Sequence, residues 1–204
     1  MRQHIDPGRR VSWLLALLVM PFSPLVLALP AGMTVGAGAV TATRPTAQSL
    51  VLNQSTDKAI LNWQSFGIGA NEAVRFVQPG ASSVALNRVT GGDPSAIFGS
   101  LSANGQVFLV NPAGIMFAPG AQVNAGSIVA STLALSNSDF LAGRYRFTGD
   151  GTNANVDNAG TISAARGGYV LLAAPQVHNS GSITAEAGAV GLAAGQRVSI
   201  DTAG

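Results

Sequence analysis

Cysteine is missing from all 204 residues, and Lys and Glu are nearly so, with one and two copies against 25 Gly. A chain without Cys can build neither a disulfide scaffold nor a cysteine-ligated zinc site. The shortage of Lys and Glu beside so much Gly argues against a coiled coil or helical bundle. Charged residues make up only 10% of the chain, and from Val11 onward eight basic side chains are matched by eight acidic ones. A neutral body has no basic stripe to neutralise a run of phosphates, which removes nucleic-acid binding. Disorder is excluded as well, because 47% of the residues are apolar and disordered chains are poor in hydrophobics.

What is present begins with an address. Arg9 and Arg10 precede the apolar run Val11 to Met20, then Pro21, Pro24 and a small-residue exit at Val26 and Ala28. This is the layout of a secretory signal peptide. The prolines interrupt the run well short of the roughly 20 apolar residues a membrane span needs. Cleavage is expected after Ala28, with Ala31 as the alternative. Oxidising compartments favour disulfides, so a secreted chain without Cys must be stabilised differently.

The remainder repeats. Val156-Asp157-Asn158-Ala159-Gly160-Thr161-Ile162-Ser163-Ala164 returns as Val177-His178-Asn179-Ser180-Gly181-Ser182-Ile183-Thr184-Ala185, an offset of 21 residues. Continuing it maps Gly167 to Gly188, Tyr169 to Val190, Leu171 to Leu192 and Val177 to Val198. Upstream, Gly105 and Val107 map to Gly126 and Ile128. The register breaks between the blocks, so Leu133 to Asn155 is expected to be an insertion.

Short apolar runs such as Val107-Phe108-Leu109-Val110 and Tyr169-Val170-Leu171-Leu172, set between Gly, Asn and Pro turns, read as strands. The few inward apolar side chains of one repeat cannot offset the cost of ordering it, so the repeats must stack. One turn of a coil per repeat places equivalent residues in ladders about 4.8 Å apart. The predicted fold is all-β, a right-handed single-stranded parallel β-helix with N-terminal capping strands. Ile162 over Ile183 and Leu171 over Leu192 are expected inside, Asn158 over Asn179 at a corner, and Gly160 and Gly181 at backbone angles closed to other residues. An antiparallel β-sandwich is the alternative fold.

Asn111-Pro112-Ala113-Gly114 falls between two strand runs and matches a type I β-turn, with Pro presetting φ and the Asn side chain capping the turn. The ordered set Ile60-Leu61-Asn62-Trp63-Gln64-Ser65-Phe66-Gly67-Ile68-Gly69, Val74 to Pro79, Ala85 to Gly91, Ala103 to Ile115 and Val129 to Thr132 closely resembles the N-terminal domain of filamentous haemagglutinin-type exoproteins, which use two-partner secretion. The likeness covers most of the chain after the signal and leans to the high-molecular-weight adhesin branch. It implies a secretion domain of a Gram-negative exoprotein or adhesin, exported through the periplasm and met there by the periplasmic domains of a dedicated outer-membrane β-barrel transporter. The chain would then fold at the cell surface or in the medium. The family's asparagine-proline-asparagine-glycine motif falls on Asn111, Pro112, Ala113 and Gly114, so the second Asn is replaced by Ala113. The companion Asn-Pro-Asn-Leu element is absent, and Leu86-Asn87-Arg88-Val89 occupies its region.

The expected organisation is a signal peptide at 1–28, the secretion domain at 29–150 and further β-helix rungs at 151–204. The uncapped last repeat suggests a truncated product or the front of a longer adhesin. Trp63, Phe66, Asn87, Arg88, Asn104 and Gly105 are candidates for capping the coil or docking on the transporter. Trp63 and Phe66 are assigned to the cap of the folded form, and Arg75 and Arg88 to solvent or to pairs with Glu72 and Asp93. No cofactor or metal is expected, since His178 is the sole histidine outside the signal. A β-helix polysaccharide-active enzyme is an alternative, but its carboxylates would have to be Asp150 and Asp157, and no stacked acidic pair is spelled out; the chain is therefore read as not an enzyme. A further alternative is a module that itself binds a host-cell or glycan receptor.

Overall fold

The structure is a computed structural model that describes residues 29–200. The segment assigned to a signal peptide lies outside the described residues. The first strands, β1 (Thr34–Ala37) and β2 (Val40–Thr46), run antiparallel to the strands that follow: β1 against β4 (Lys58–Trp63), and β2 against β3 (Ser49–Gln54). They close the N-terminal end, so the expected capping strands are present.

From β3 onward the chain winds through parallel pairings. The second and third turns comprise β5 (Ala73–Val77), β6 (Val84–Val89) and β7 (Ser95–Ile97), then β8 (Ser100–Ala103), β9 (Gln106–Val110) and β10 (Ile115–Phe117). Next come β11 (Gln122–Ala125) and β12 (Ser127–Ser131), after which the chain leaves the coil. The excursion holds β13 (Ala134–Leu135), a short helix α1 (Asn137–Leu141) and β14 (Tyr145–Thr148) before the coil resumes at β15 (Asn155–Asn158). The last turns are β16 (Thr161–Ala164), β17 (Tyr169–Ala174) and β18 (Gln176–Asn179), then β19 (Ser182–Ala185) and β20 (Ala189–Ala194), followed by β21 (Arg197–Ile200).

Three sheets line the coil: β1-β4-β6-β9-β12-β17-β20, β2-β3-β5-β8-β11-β16-β19 and β7-β10-β15-β18. The parallel β-helix and the insertion read from the register break are both observed. Ile162 pairs with Ile183, Val156 with Val177 and Asn158 with Asn179, as the 21-residue offset requires. Val107 likewise pairs with Ile128.

The offset fails further on. Leu171 lies beside Gly191 rather than Leu192, Tyr169 beside Ala189 rather than Val190, and Leu192 beside Leu172. Gly188 approaches Gly168 instead of Gly167. The cause is one missing residue: 165–168 link β16 to β17, whereas only 186–188 link β19 to β20. Ala187 takes up the tighter path at φ 49°. A one-residue change exchanges the two faces of a strand, so in β20 Leu192 falls on inward-facing Leu172 and not on Leu171, which points outward beside Val129 of β12.

Val198 does not stack on Val177 either. It belongs to β21, which runs antiparallel to β14 with Phe147 opposite Val198. Gly160 and Gly181 are not needed for positive φ. They are needed for closeness: a Cβ on Gly181 would sit 2.2 Å from the Gly160 carbonyl oxygen.

Two cores result. The inner one fills the prism with residues such as Leu61, Trp63, Val107, Leu109, Ile128, Ile162 and Leu172. The outer one lies between the first sheet and the excursion, where Phe108, Val110 and Val129 meet Leu135, Phe140, Tyr145 and Phe147. Strand β9 feeds both, Val107 and Leu109 inward and Phe108 and Val110 outward. This is why its sequence is a continuous apolar run rather than an alternation.

Candidate recognition site

The Asn111–Gly114 turn joins β9 to β10. The Gly114 N–H donates to the Asn111 carbonyl at 3.1 Å, and the Asn111 Oδ1 accepts from the Ala113 N–H at 2.9 Å. These are the bonds of an Asn-capped type I turn. Gly114, at φ 122°, occupies a conformation open to Gly.

The Asn111 side chain also does what the turn alone does not require. Its Nδ2 donates to the Asp93 carbonyl and to Ser95 Oγ, both at 3.0 Å, on the preceding turn of the coil. Its backbone N–H donates to the Ser131 carbonyl on the following turn at 3.0 Å. Asn111 is fully buried and ties three successive turns together, while Pro112 is exposed and Ala113 half-buried.

Asn87 is equally buried. Its Oδ1 accepts from Trp63 Nε1 at 3.0 Å, and its Nδ2 donates to the Ala85 and Phe108 carbonyls. Trp63 and Phe66, each 2% exposed, pack edge to face with ring centroids 5.5 Å apart. They are core residues of the first turn, and the end of the coil is closed by β1 and β2 instead. Arg88 is neither solvated nor directed to a carboxylate: it donates to the Leu135 carbonyl at 2.7 Å and to Asn62 Oδ1 at 3.3 Å, which pins the excursion to β6. Burial lowers its pKa. Arg75 and Asp93 are exposed.

Asn104 and Gly105 sit at the next corner. The Asn104 side chain bonds the Gln78 backbone twice, at 2.7 and 2.8 Å. Gly105 leaves room for the Gln78 side chain, whose oxygen accepts from the Gly105 N–H at 3.1 Å. A Cβ there would lie 2.6 Å from the Ser83 carbonyl.

Sequence reasoning missed Gln54 and Gln78 as structural centres. The Gln78 Nε2 donates to Gln54 Oε1 and to the Ser83 and Gln106 carbonyls, each at 3.2 Å. The available signal was their position, both one step past Asn53 and Val77, which are paired across β3 and β5. The Asn87 and Asn111 sites lie on adjacent turns, Asn87 pairing across β6 and β9 with Leu109, two residues before Asn111. They share burial and the bridging of successive turns.

Each carboxylate of the enzyme alternative is held by a local donor. Asp150 is exposed and accepts from the Thr152 backbone N–H at 3.0 Å, which holds its pKa below the ordinary carboxylate value. Asp157 accepts from Asn155 Nδ2. Among the described residues no group of three or more His, Cys, Asp or Glu is placed to hold a metal ion, and no helix is long and apolar enough to cross a membrane.

A parallel coil with antiparallel capping strands, an outer excursion and an Asn-Pro turn locked between its rungs is the architecture to be matched with known proteins. Residues 28–203 match the TPS secretion domain family, and the chain belongs to it. The structure is similar to the crystal structure of the HMW1 secretion domain from Haemophilus influenzae, with TM-score 0.81 and 37% identity, covering 84% of this chain and 46% of that one. A heme/hemopexin-binding protein of Haemophilus influenzae is 41% identical over 111 residues, which is 54% of this chain and 12% of that protein. A second, from strain Rd, is 47% identical over 83 residues, 41% of this chain and 9% of that protein.

The chain therefore spans a small part of the curated relatives it matches. It is a secretion domain of a two-partner-secreted exoprotein on the HMW-like side of the family. Proteins of this family are secreted to the cell surface or medium. The family is one of secretion domains, not of enzymes.

Proposed function

We propose that the chain is recognised before it folds. It would cross to the periplasm on the signal at 1–28, be held there in extended form by periplasmic domains of the transporter, and coil only once outside. In this reading residues 29–150 carry the recognition segments and residues 151–204 add rungs. The supporting observation is burial: Asn111 and Asn87 are 0% exposed, and Trp63 is 2% exposed. Side chains so enclosed offer a partner nothing in the folded protein, whereas the same segments, extended, can add a strand to a transporter domain. Folding outside then biases passage forward, because the buried bonds of Asn111 form only after exit. Without Cys, no disulfide loop obstructs a narrow pore.

The test separates folding from recognition. Purified periplasmic transporter domains are titrated with the mature chain, once folded and once held unfolded in mild denaturant. Binding of the unfolded chain, weakened by Pro112→Ala or Asn111→Ala, is expected. Equal binding of the folded chain would overturn the proposal.

A further inference from the structure

In a solenoid each turn touches only its neighbours, so stability is a sum of local terms and the end turns peel first. The outer core breaks this rule of local contact. Ala37 of β1, Ile60 of β4, Leu86 of β6, Phe108 of β9, Val129 of β12 and Leu171 of β17 all pack into it. A single cluster thus runs along the first sheet from its N-terminal edge to the strand beside β20.

Both ends of that cluster are fastened. At the first turn the Nζ of Lys58 donates to the Leu141 carbonyl at 2.7 Å, across 83 residues of sequence, and so satisfies the last carbonyl of α1. Arg88 holds β13 to β6 through the Leu135 carbonyl, 47 residues away. At the last turn β20 runs directly into β21. That strand pairs with β14 over four positions, and its Val198 and Ile200 pack on the same cluster. Peeling β20 must therefore drag on β21, and loosening β4 must break the Lys58 anchor.

We infer that the excursion and β21 form a strap joining the turn of β4 to that of β20, so that the turns between them open as one body instead of one by one. A protein standing outside the cell is cut by proteases in its partly open forms. The strap removes those forms without adding turns, and it does so however the chain was exported.

Residue-resolved native-state hydrogen exchange on the mature chain tests this. In the unaltered protein the slow amides of β4, β9 and β17 are expected to share one opening free energy. Distinct openings, with β17 exchanging far ahead of β9, would overturn the strap. Val198→Asp combined with Ile200→Asp should raise exchange in β17 and β20 at least tenfold while β6 and β9 change little. Lys58→Met, which leaves the C-terminal end intact, should raise exchange selectively in β4 and α1. Should the double variant not fold, Lys58→Met decides alone. Protection that is unchanged, or that falls equally along the whole coil, refutes the proposal.

Discussion

Asn158 and Asn179 lie one above the other at successive corners, the Nδ2 of the first donating to the Oδ1 of the second at 2.7 Å. The lower residue also accepts from the Gly160 N–H at 3.1 Å and is fully buried, whereas Asn179 is exposed. Removing the two side chains should therefore cost unequal amounts. Asn158→Ala is expected to lose about 2 kcal/mol, since it leaves a buried N–H without a partner, and Asn179→Ala about 1 kcal/mol or less. Denaturant midpoints of the two variants check this, and equal losses would contradict the stacked arrangement.

Glycines in this coil fall into two kinds. A Cβ on Gly181 would meet the backbone of Gly160 at 2.2 Å, while one on Gly195 would meet nothing within 4 Å. Gly181→Ala should destabilise by about 3 kcal/mol through overpacking against rigid backbone. Gly195→Ala, at a position without positive φ, should stabilise by about 0.5 kcal/mol by restricting the unfolded chain. Thermal unfolding of both reads the contrast in sign.

Ala187 is the sole non-glycine with positive φ among the described residues, at 49°. It accommodates the shortened turn that shifts β20 against β17. Relief of the left-handed conformation outweighs the added freedom of a glycine in the unfolded chain, so Ala187→Gly should gain about 0.5 kcal/mol. Ala187→Val should lose more than about 1 kcal/mol, because a β-branched side chain fits that region worst. Chemical denaturation of the pair is sufficient, and a loss for both would show that the turn is held by contacts of the Ala methyl.

Alkali should unfold the protein through its tyrosines. Burial raises the pKa of Tyr145 above its ordinary value of 10.0, and raises that of Tyr169 further, with Tyr145 adding to the effect. Raised folded values mean that the unfolded chain releases these protons first as pH climbs. Their stability contribution is thus complete below about pH 10 and lost progressively above it. Tyr169 also donates to Gln106 Oε1 at 2.9 Å. Tyr169→Phe should therefore be less stable at neutral pH yet lose less between pH 9.5 and 11.5, an interval set by the ordinary phenol pKa of about 10. An unchanged slope in that interval would remove the assignment.

The amino-acid order by itself determined the parallel coil, because in-phase apolar residues and corner amides must lie over one another if short repeats are to bury anything. It also determined the Asn111 turn, whose bonds are local, and the limits of the excursion, which appear wherever the repeat breaks. What happens at Leu192 was decided by tertiary structure. One residue fewer before β20 reverses which face looks inward, and a side-chain period of two magnifies that small change into a different core.

The outer core was illegible for another reason. Phe108 and Leu109 are equally apolar, and nothing local says that one faces the prism and the other an excursion some 30 residues on in the chain. Likewise Lys58 and Arg88 look like surface charges until distant carbonyls are brought to them. Ladders follow from the repeat because equivalent residues meet at nearly constant separation, whereas the strap depends on single meetings across 47 and 83 residues that only the folded coil brings about.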